Sequence, residues 1–111
     1  MEDCIFCKIV DKSIPANIVY EDDDAVAFHD VSPQAPIHVL IVPKKHFDNI
    51  TQLDTATAQH LFSHCVQTVA KMLNLADGFR LIVNTGKIAG QSVPHLHIHI
   101  LAGKILGENL L

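Results

Sequence analysis

The sequence has no excess of positive charge. Eight Lys and Arg stand against twelve Asp and Glu, a formal net charge of −4, and Lys44-Lys45 is the only adjacent basic pair. A nucleic-acid binder shows a basic surplus or stripe, so that class of partner is not expected. Nor is there an apolar run approaching the roughly 18 residues of a membrane span, so no membrane partner is expected either. The start, Met1-Glu2-Asp3, is acidic where a signal peptide is basic, and no apolar segment follows it. Cysteine occurs three times, at Cys4, Cys7 and Cys65, an odd number that does not form a disulfide framework. These absences together predict a soluble, reduced, cytoplasmic protein. Linker-like composition shifts, repeats and low-complexity stretches are also missing, so the 111 residues are read as one domain spanning residues 1–111. What is present is ordinary globular material: 49% hydrophobic and 18% charged residues, enough to bury a core without disulfide staples. An acidic balance does not exclude a small anionic ligand, because backbone dipoles can hold a phosphate.

The order of elements points to an α+β fold. Residues 4–12 form an apolar-rich stretch of one or two helical turns, ended by Ile14-Pro15, since the residue before proline is pushed out of the helical region. Ile18–Glu21 and Ala25–His29 read as strands of a hairpin across Asp22-Asp23-Asp24. Ser32-Pro33-Gln34-Ala35-Pro36 cannot be regular structure. Ile37–Val42 is an apolar run ended by Pro43, a central strand. The long helix covers residues 55–75, with Leu61, Phe62, Cys65, Val66, Val69 and Leu73 on a 3.6-residue period. Asp54 can cap its start, and Gly78 can terminate it or the turn after it. Phe79–Val83 is the next strand, residues 84–92 a loop, and His95–Leu101 the last strand. Tight links between neighbouring strands favour an antiparallel sheet with helices packed on it.

The last strand carries the chemistry. Side chains on a strand alternate, so His95, His97 and His99 share one face, about 6.5 to 7 Å apart, and Leu96, Ile98 and Ile100 take the core face. Three imidazoles in a row can be a solvated face, a metal chelate, or a catalytic group in which a neutral imidazole attacks an electrophile and its neighbours bind the developing charge. The loop before them holds Gly90, Gln91 and Ser92, with Asn84 just upstream. Glycines that let backbone N–H groups approach, together with neutral side-chain donors, suit a phosphate better than a bare metal.

Gln91-Ser92-Val93-Pro94-His95-Leu96-His97-Ile98-His99-Ile100 resembles the signature of the histidine triad family, three histidines alternating with apolar residues. Ile5-Phe6-Cys7-Lys8-Ile9, Ile14-Pro15-Ala16, Phe28 through Pro36 and His38 through His46 resemble its Hint branch of nucleotide-binding purine nucleoside phosphoramidases. The similarity covers nearly the whole chain. It implies a five-stranded antiparallel sheet with a long helix and a short N-terminal helix, and a homodimer with one sheet continuous across both subunits. It implies that His97 attacks the α-phosphorus and becomes nucleotidylated, that His99 contacts the phosphate, and that Ser92 assists the leaving amine. His38 stands behind the triad as a supporting partner. Asn84, Gly90 and Gln91 line the phosphate pocket, Asp30 accepts from the ribose hydroxyls with Val31 beside it, and Ile5, Phe6, Ile9 and Phe28 form the purine slot. Read alone, Asp30 before Ser32-Pro33 could simply organise a turn, and the four apolar residues could be core. No cofactor is implied for catalysis. Related alternatives are a dinucleoside polyphosphate hydrolase of the Fhit branch, which Ser92 and Ser32–Pro36 match less well, and a nucleotide-binding adaptor with incidental turnover. A nucleotidyl transferase of the galactose-1-phosphate type carries Gln where His99 stands. The tail, Ala102 to Leu111, departs from close relatives that carry tryptophan and prolines there; this sequence has no Trp.

Cys4-Ile5-Phe6-Cys7 supplies two of the four ligands a structural zinc needs. Two partly buried thiols without metal are the alternative; a redox pair is disfavoured, because no βαβ pattern surrounds it. The resemblance to zinc-bearing bacterial members implies His46 and His95 as the other two ligands, which makes His95 structural. His60 and His64, spaced i and i+4, could chelate a metal but lack the glutamate of the zinc-protease pattern, and a solvated or dimer-facing helix side is the preferred reading. Cys65 falls on the apolar helix stripe and reads as core.

Overall fold

The computed structural model describes residues 3–108; Met1 and Glu2 of the acidic start and residues 109–111 of the tail lie outside the described residues. Cys4 opens the first element. Its Sγ accepts the Cys7 N–H at 3.3 Å and caps helix α1, Ile5–Val10. Lys12 turns left-handed (φ 69°) to end it, and the chain passes Pro15 into strand β1, Ile18–Glu21. A turn built on Asp22, whose Oδ1 accepts the N–H groups of Asp24 and Ala25 at 2.9 Å, leads to β2, Ala25–His29. Strand β3, Ile37–Pro43, takes in Pro43 as its last residue, paired with Ala25.

Helix α2 is continuous over residues 55–72 but not uniform. Thr55–Ala58 is α-helical, Gln59–Cys65 is π-helical, and Val66–Met72 is α-helical again. Asp54 caps it as expected, accepting the Thr57 N–H at 3.0 Å. The helix stops short of residue 75. Asn74 turns left-handed (φ 58°), and the Leu75 N–H returns to the Ala70 carbonyl at 2.9 Å, a Schellman closure with Asn in the place glycine usually takes. Gly78 (φ 135°) lies in the turn that follows. Strand β4 is shorter than its apolar run, Arg80–Ile82. Strand β5 is Ile98–Ala102, beginning after the first two histidines. His95 and Leu96 direct their N–H groups to Val93 and Phe47 carbonyls, at 2.8 and 2.7 Å, and so leave the ladder.

The strands form one antiparallel sheet in the order β1-β2-β3-β5-β4, an α+β arrangement as expected. Its period-2 alternation separates two cores. Ala25, Ala27, Val39, Ile41, Leu96, Ile98 and Ile100 meet Leu61, Cys65, Val66 and Val69 of α2. Val26, Phe28, Leu40 and Val42 meet Cys4, Phe6 and Ile9 around α1. Complete burial of Ile41, Leu61, Ile98 and Ile100 contributes about 1.5–3 kcal/mol each. The long helix covers one face; the short one covers only part of the other, and the uncovered part is a cavity. No helix among the described residues is long and apolar enough to cross a membrane.

Candidate functional site

The cavity has a volume of about 480 Å³ and lies between α1, the segment after it, the ends of β2 and β3, and the histidine strand. Ile5, Phe6, Ile9, Phe28, Asp30, Val31, Ser92, His97 and His99 of the sequence-derived set all line it. The Phe6 ring stands edge-on to Phe28 at 5.6 Å and to His97 at 5.0 Å, fixing an apolar slot beside an imidazole. Ile14, Pro15, Ala16, Asn17, His29, Leu40 and Val93 complete the wall. The sequence signal for Leu40 was its alternation with Val39 and Ile41; Ile14-Pro15-Ala16 stood in the motif but read only as a helix stop. No Lys or Arg lines the cavity, so an anion there would meet neutral donors.

Hydrogen bonds give the two histidines opposite tautomers. A carbonyl oxygen can only accept, so His97 Nδ1–H donates to the His95 carbonyl at 2.8 Å, and its Nε2 carries the lone pair. His38 works the other way. The Gln34 backbone N–H donates to His38 Nδ1 at 3.0 Å, so the His38 proton sits on Nε2. It donates to His99 Nδ1 at 2.9 Å, and the His99 proton is therefore on Nε2. Burial pushes His99 down to about 4, with His97 and His38 adding to the effect, so at neutral pH His99 is an uncharged donor. His97 thus offers a nucleophile and His99 an N–H, side by side with ring centroids 5.0 Å apart.

Asp30 serves a turn and the cavity at once. Its Oδ1 accepts the Ser32 N–H at 2.7 Å, while Oδ2 lies 3.6 Å from His38 Nε2. Val31 is 98% exposed and forms the rim. Asn84, Gly90 and Gln91 are not among the cavity-lining residues. Gln91 is spent on bracing the loop: its Oε1 accepts the Gly86 N–H at 2.8 Å, and its amide donates to the carbonyls of Asp48 (2.7 Å) and Val93 (3.1 Å). Gly90 (φ 88°) closes the short helical turn Lys87–Ala89 in a left-handed conformation that favours glycine.

His95 points into a second constellation. Its Nε2–H donates to the Pro43 carbonyl at 3.0 Å, which turns the Nδ1 lone pair toward Cys4 Sγ at 3.2 Å and Cys7 Sγ at 3.4 Å. His46 repeats the pattern: Nε2 faces Asp48 Oδ1 at 2.9 Å, and Nδ1 faces Cys7 Sγ at 3.2 Å. The four donor atoms lie within 4.8 Å of one another. A tetrahedral zinc with ordinary Zn–S and Zn–N bonds has S···N edges of about 3.5 Å, close to the distances seen. A ligating imidazole whose other nitrogen meets a carbonyl or carboxylate is also the usual support for such an ion. Burial, with Cys4 alongside, pushes the Cys7 thiol up to about 11; a divalent cation among these donors would displace its proton. Burial likewise pushes His95 down to about 4, leaving it a neutral ligand. The residues fit the metal.

Known proteins resemble the chain closely. A family profile described as the HIT domain matches residues 11–105. An uncharacterized HIT-like protein of Synechococcus elongatus is 49% identical over 95% of this chain and 94% of its own length. Among solved structures, a HIT family hydrolase from Clostridium thermocellum is 43% identical with a TM-score of 0.92, covering 100% of this chain and 99% of the other. A histidine triad nucleotide-binding protein from Candida albicans is 29% identical with a TM-score of 0.84, covering 96% and 85%. The fold, the histidine strand and these matches agree: the chain belongs to the histidine triad (HIT) family.

Proposed function

We propose that the protein is a nucleotide-binding hydrolase that cleaves purine nucleoside 5′-phosphoramidates, or AMP conjugates resembling aminoacyl adenylates, at the α-phosphorus. The observation that carries this reading is the opposed pair of tautomers on one cavity wall. His97 Nε2 attacks phosphorus in line with the leaving nitrogen, forming a P–N bond as the substrate's own P–N bond breaks. The positive charge that develops on His97 is met at Nδ1–H by the His95 carbonyl. His99 Nε2–H donates to a phosphoryl oxygen, and the Ser92 hydroxyl passes its proton to the departing amine and recovers one from the water that attacks next. Water then attacks the nucleotidyl-His97 intermediate and releases the nucleotide. Phe6, Phe28, Ile5 and Ile9 suit the faces of a purine, and Asp30 Oδ2 suits the ribose hydroxyls. The solved relatives described as a hydrolase and as a nucleotide-binding protein support the same direction.

Two further parts belong to this reading. Cys4, Cys7, His46 and His95 would hold a structural zinc that ties the N-terminus and the segment after β3 to the catalytic strand; no step passes through it. A homodimer would form along β4, an edge strand that leaves Leu81 and Ile82 exposed and invites continuation of the sheet. Free thiols at Cys4, Cys7 and Cys65 fit a reducing, cytoplasmic setting.

The direct test compares adenosine 5′-phosphoramidate with diadenosine polyphosphates as substrates. The expected result is faster turnover of the phosphoramidate, with AMP as product. Preference for the polyphosphate would instead assign Fhit-type activity, and kcat far below about 1 s⁻¹ on every substrate with a good leaving group would favour an adaptor.

A further inference from the structure

The π-helical stretch of α2 lies on the opposite face of the sheet from the cavity. Residues four apart lie on one side of the helix there, as they do in an α-helix. His60 and His64 therefore stack, with ring centroids 5.1 Å apart and planes 21° apart. The same register aligns the fully buried Leu61 and Cys65. Asp22 faces them from the β1–β2 turn. Its Oδ2 accepts from the Tyr20 hydroxyl and from His60 Nε2, both at 2.7 Å, and faces the Cys65 thiol at 4.0 Å. His64 Nε2 reaches the Tyr20 hydroxyl at 3.1 Å. The ligand atoms of Asp22, His60 and Cys65 lie within 4.8 Å of one another, and His60 also borders, with His64, a cavity of about 420 Å³. Asp23 and Asp24, next in sequence, add a field that attracts cations.

A tether between turn and helix needs only the Asp22–His60 contact. The His64–Tyr20 hydrogen bond adds to that tether; what neither contact requires is the thiol brought to the same carboxylate oxygen. We propose that Asp22 Oδ2, His60 Nε2 and Cys65 Sγ form a second site for a zinc-class divalent ion, with the fourth position on the side that His60 presents to the cavity. Carboxylate, imidazole and thiolate with one open position is a zinc-type donor set. The ion separates Asp22 from His60 and draws Cys65 inward, each by under about 1 Å, to reach tetrahedral edges of about 3.5 Å. The His60 proton shifts to Nδ1 as Nε2 ligates. Burial, with Asp22 alongside, pushes the Cys65 thiol up to about 12, so it carries a proton until the ion arrives, and binding releases one proton per ion. The site is separate from the Cys4, Cys7, His46 and His95 cluster, which lies on the other side of the sheet.

Zinc is titrated calorimetrically into the full-length protein, in two buffers of different ionisation heat, with bound metal counted by elemental analysis. The expected result is one equivalent beyond the first cluster's, about one proton released, and at least tenfold weaker binding of that equivalent in His60→Gln. His60 is half-buried at the surface, so this variant keeps the core intact. A second readout needs no variant: cobalt added as the second equivalent to zinc-loaded protein gives a thiolate-to-cobalt charge-transfer band. Absence of any equivalent weakened by His60→Gln, or cobalt bound at that equivalent without that band, overturns the site. If one equivalent binds in all, its loss in His60→Gln supports this site and sinks the first; its loss in Cys7→Ser does the reverse.

Discussion

His95 and His97 are two residues apart, face the same side of the sheet and touch the same phenyl ring, Phe6, at 5.9 and 5.0 Å. They differ in which nitrogen the backbone occupies. Pro43 takes the Nε2–H of His95 and turns Nδ1 toward sulfur; the His95 carbonyl takes the Nδ1–H of His97 and leaves Nε2 to the cavity. On the proposed reading, one carbonyl prepares a ligand and another prepares a nucleophile. Like side chains in a motif therefore need not play the same part, because the acceptor each one finds decides which ring nitrogen is left free.

The largest effect tests the nucleophile. His97→Ala should lower turnover by about three orders of magnitude or more while leaving the fold and most AMP affinity intact; a variant retaining a tenth of the parental rate would remove His97 from that role. Next comes the ligand side. Cys4→Ser with Cys7→Ser should remove one equivalent of bound zinc and lower the melting temperature by about 10 °C or more, with turnover per folded molecule within a few-fold of the parent. Unchanged zinc content and melting would leave the pair as ordinary thiols. His38→Phe should reduce kcat by roughly ten- to hundredfold, because His99 loses the partner that fixes its proton. His38→Gln, whose amide can donate to His99 Nδ1, should recover part of the loss, and equal losses in both would mean that His38 acts through packing alone. The smallest effect concerns the ribose: Asp30→Asn should weaken AMP by roughly 1–2 kcal/mol, and calorimetry giving equal affinities would take Asp30 out of the site.

Much of this was legible in the residues. Period-2 alternation in His95–Ile100 places apolar and imidazole side chains on opposite faces, and the structure keeps that division even though the ladder begins only at Ile98. The Asp54 cap was readable because capping is local. What was not readable depends on partners distant in sequence. The tautomer of His99 follows from His38, 61 residues away. Gln91 looked like a phosphate donor, but its amide is held by the Asp48 and Val93 carbonyls. The π stretch escaped because Leu61, Cys65, Val66 and Val69 fit a 3.6-residue stripe equally well. His60 and His64 then read as a solvated or dimer-facing side, whereas the structure sets His60 against Asp22 and His64 against Tyr20. Asp22 itself read only as part of a turn.

The central claim is that the His95 carbonyl and the His38 side chain hold His97 and His99 in opposite tautomers. Long-range proton–nitrogen correlation spectra of ¹⁵N-imidazole-labelled protein at mildly alkaline pH measure this directly. The account predicts a protonated Nδ1 and a bare Nε2 for His97, and the reverse for His99, with His97→Ala and His99→Ala spectra assigning the signals. A His97 ring protonated at Nε2 in the free protein would contradict it, because no lone pair would then face the cavity.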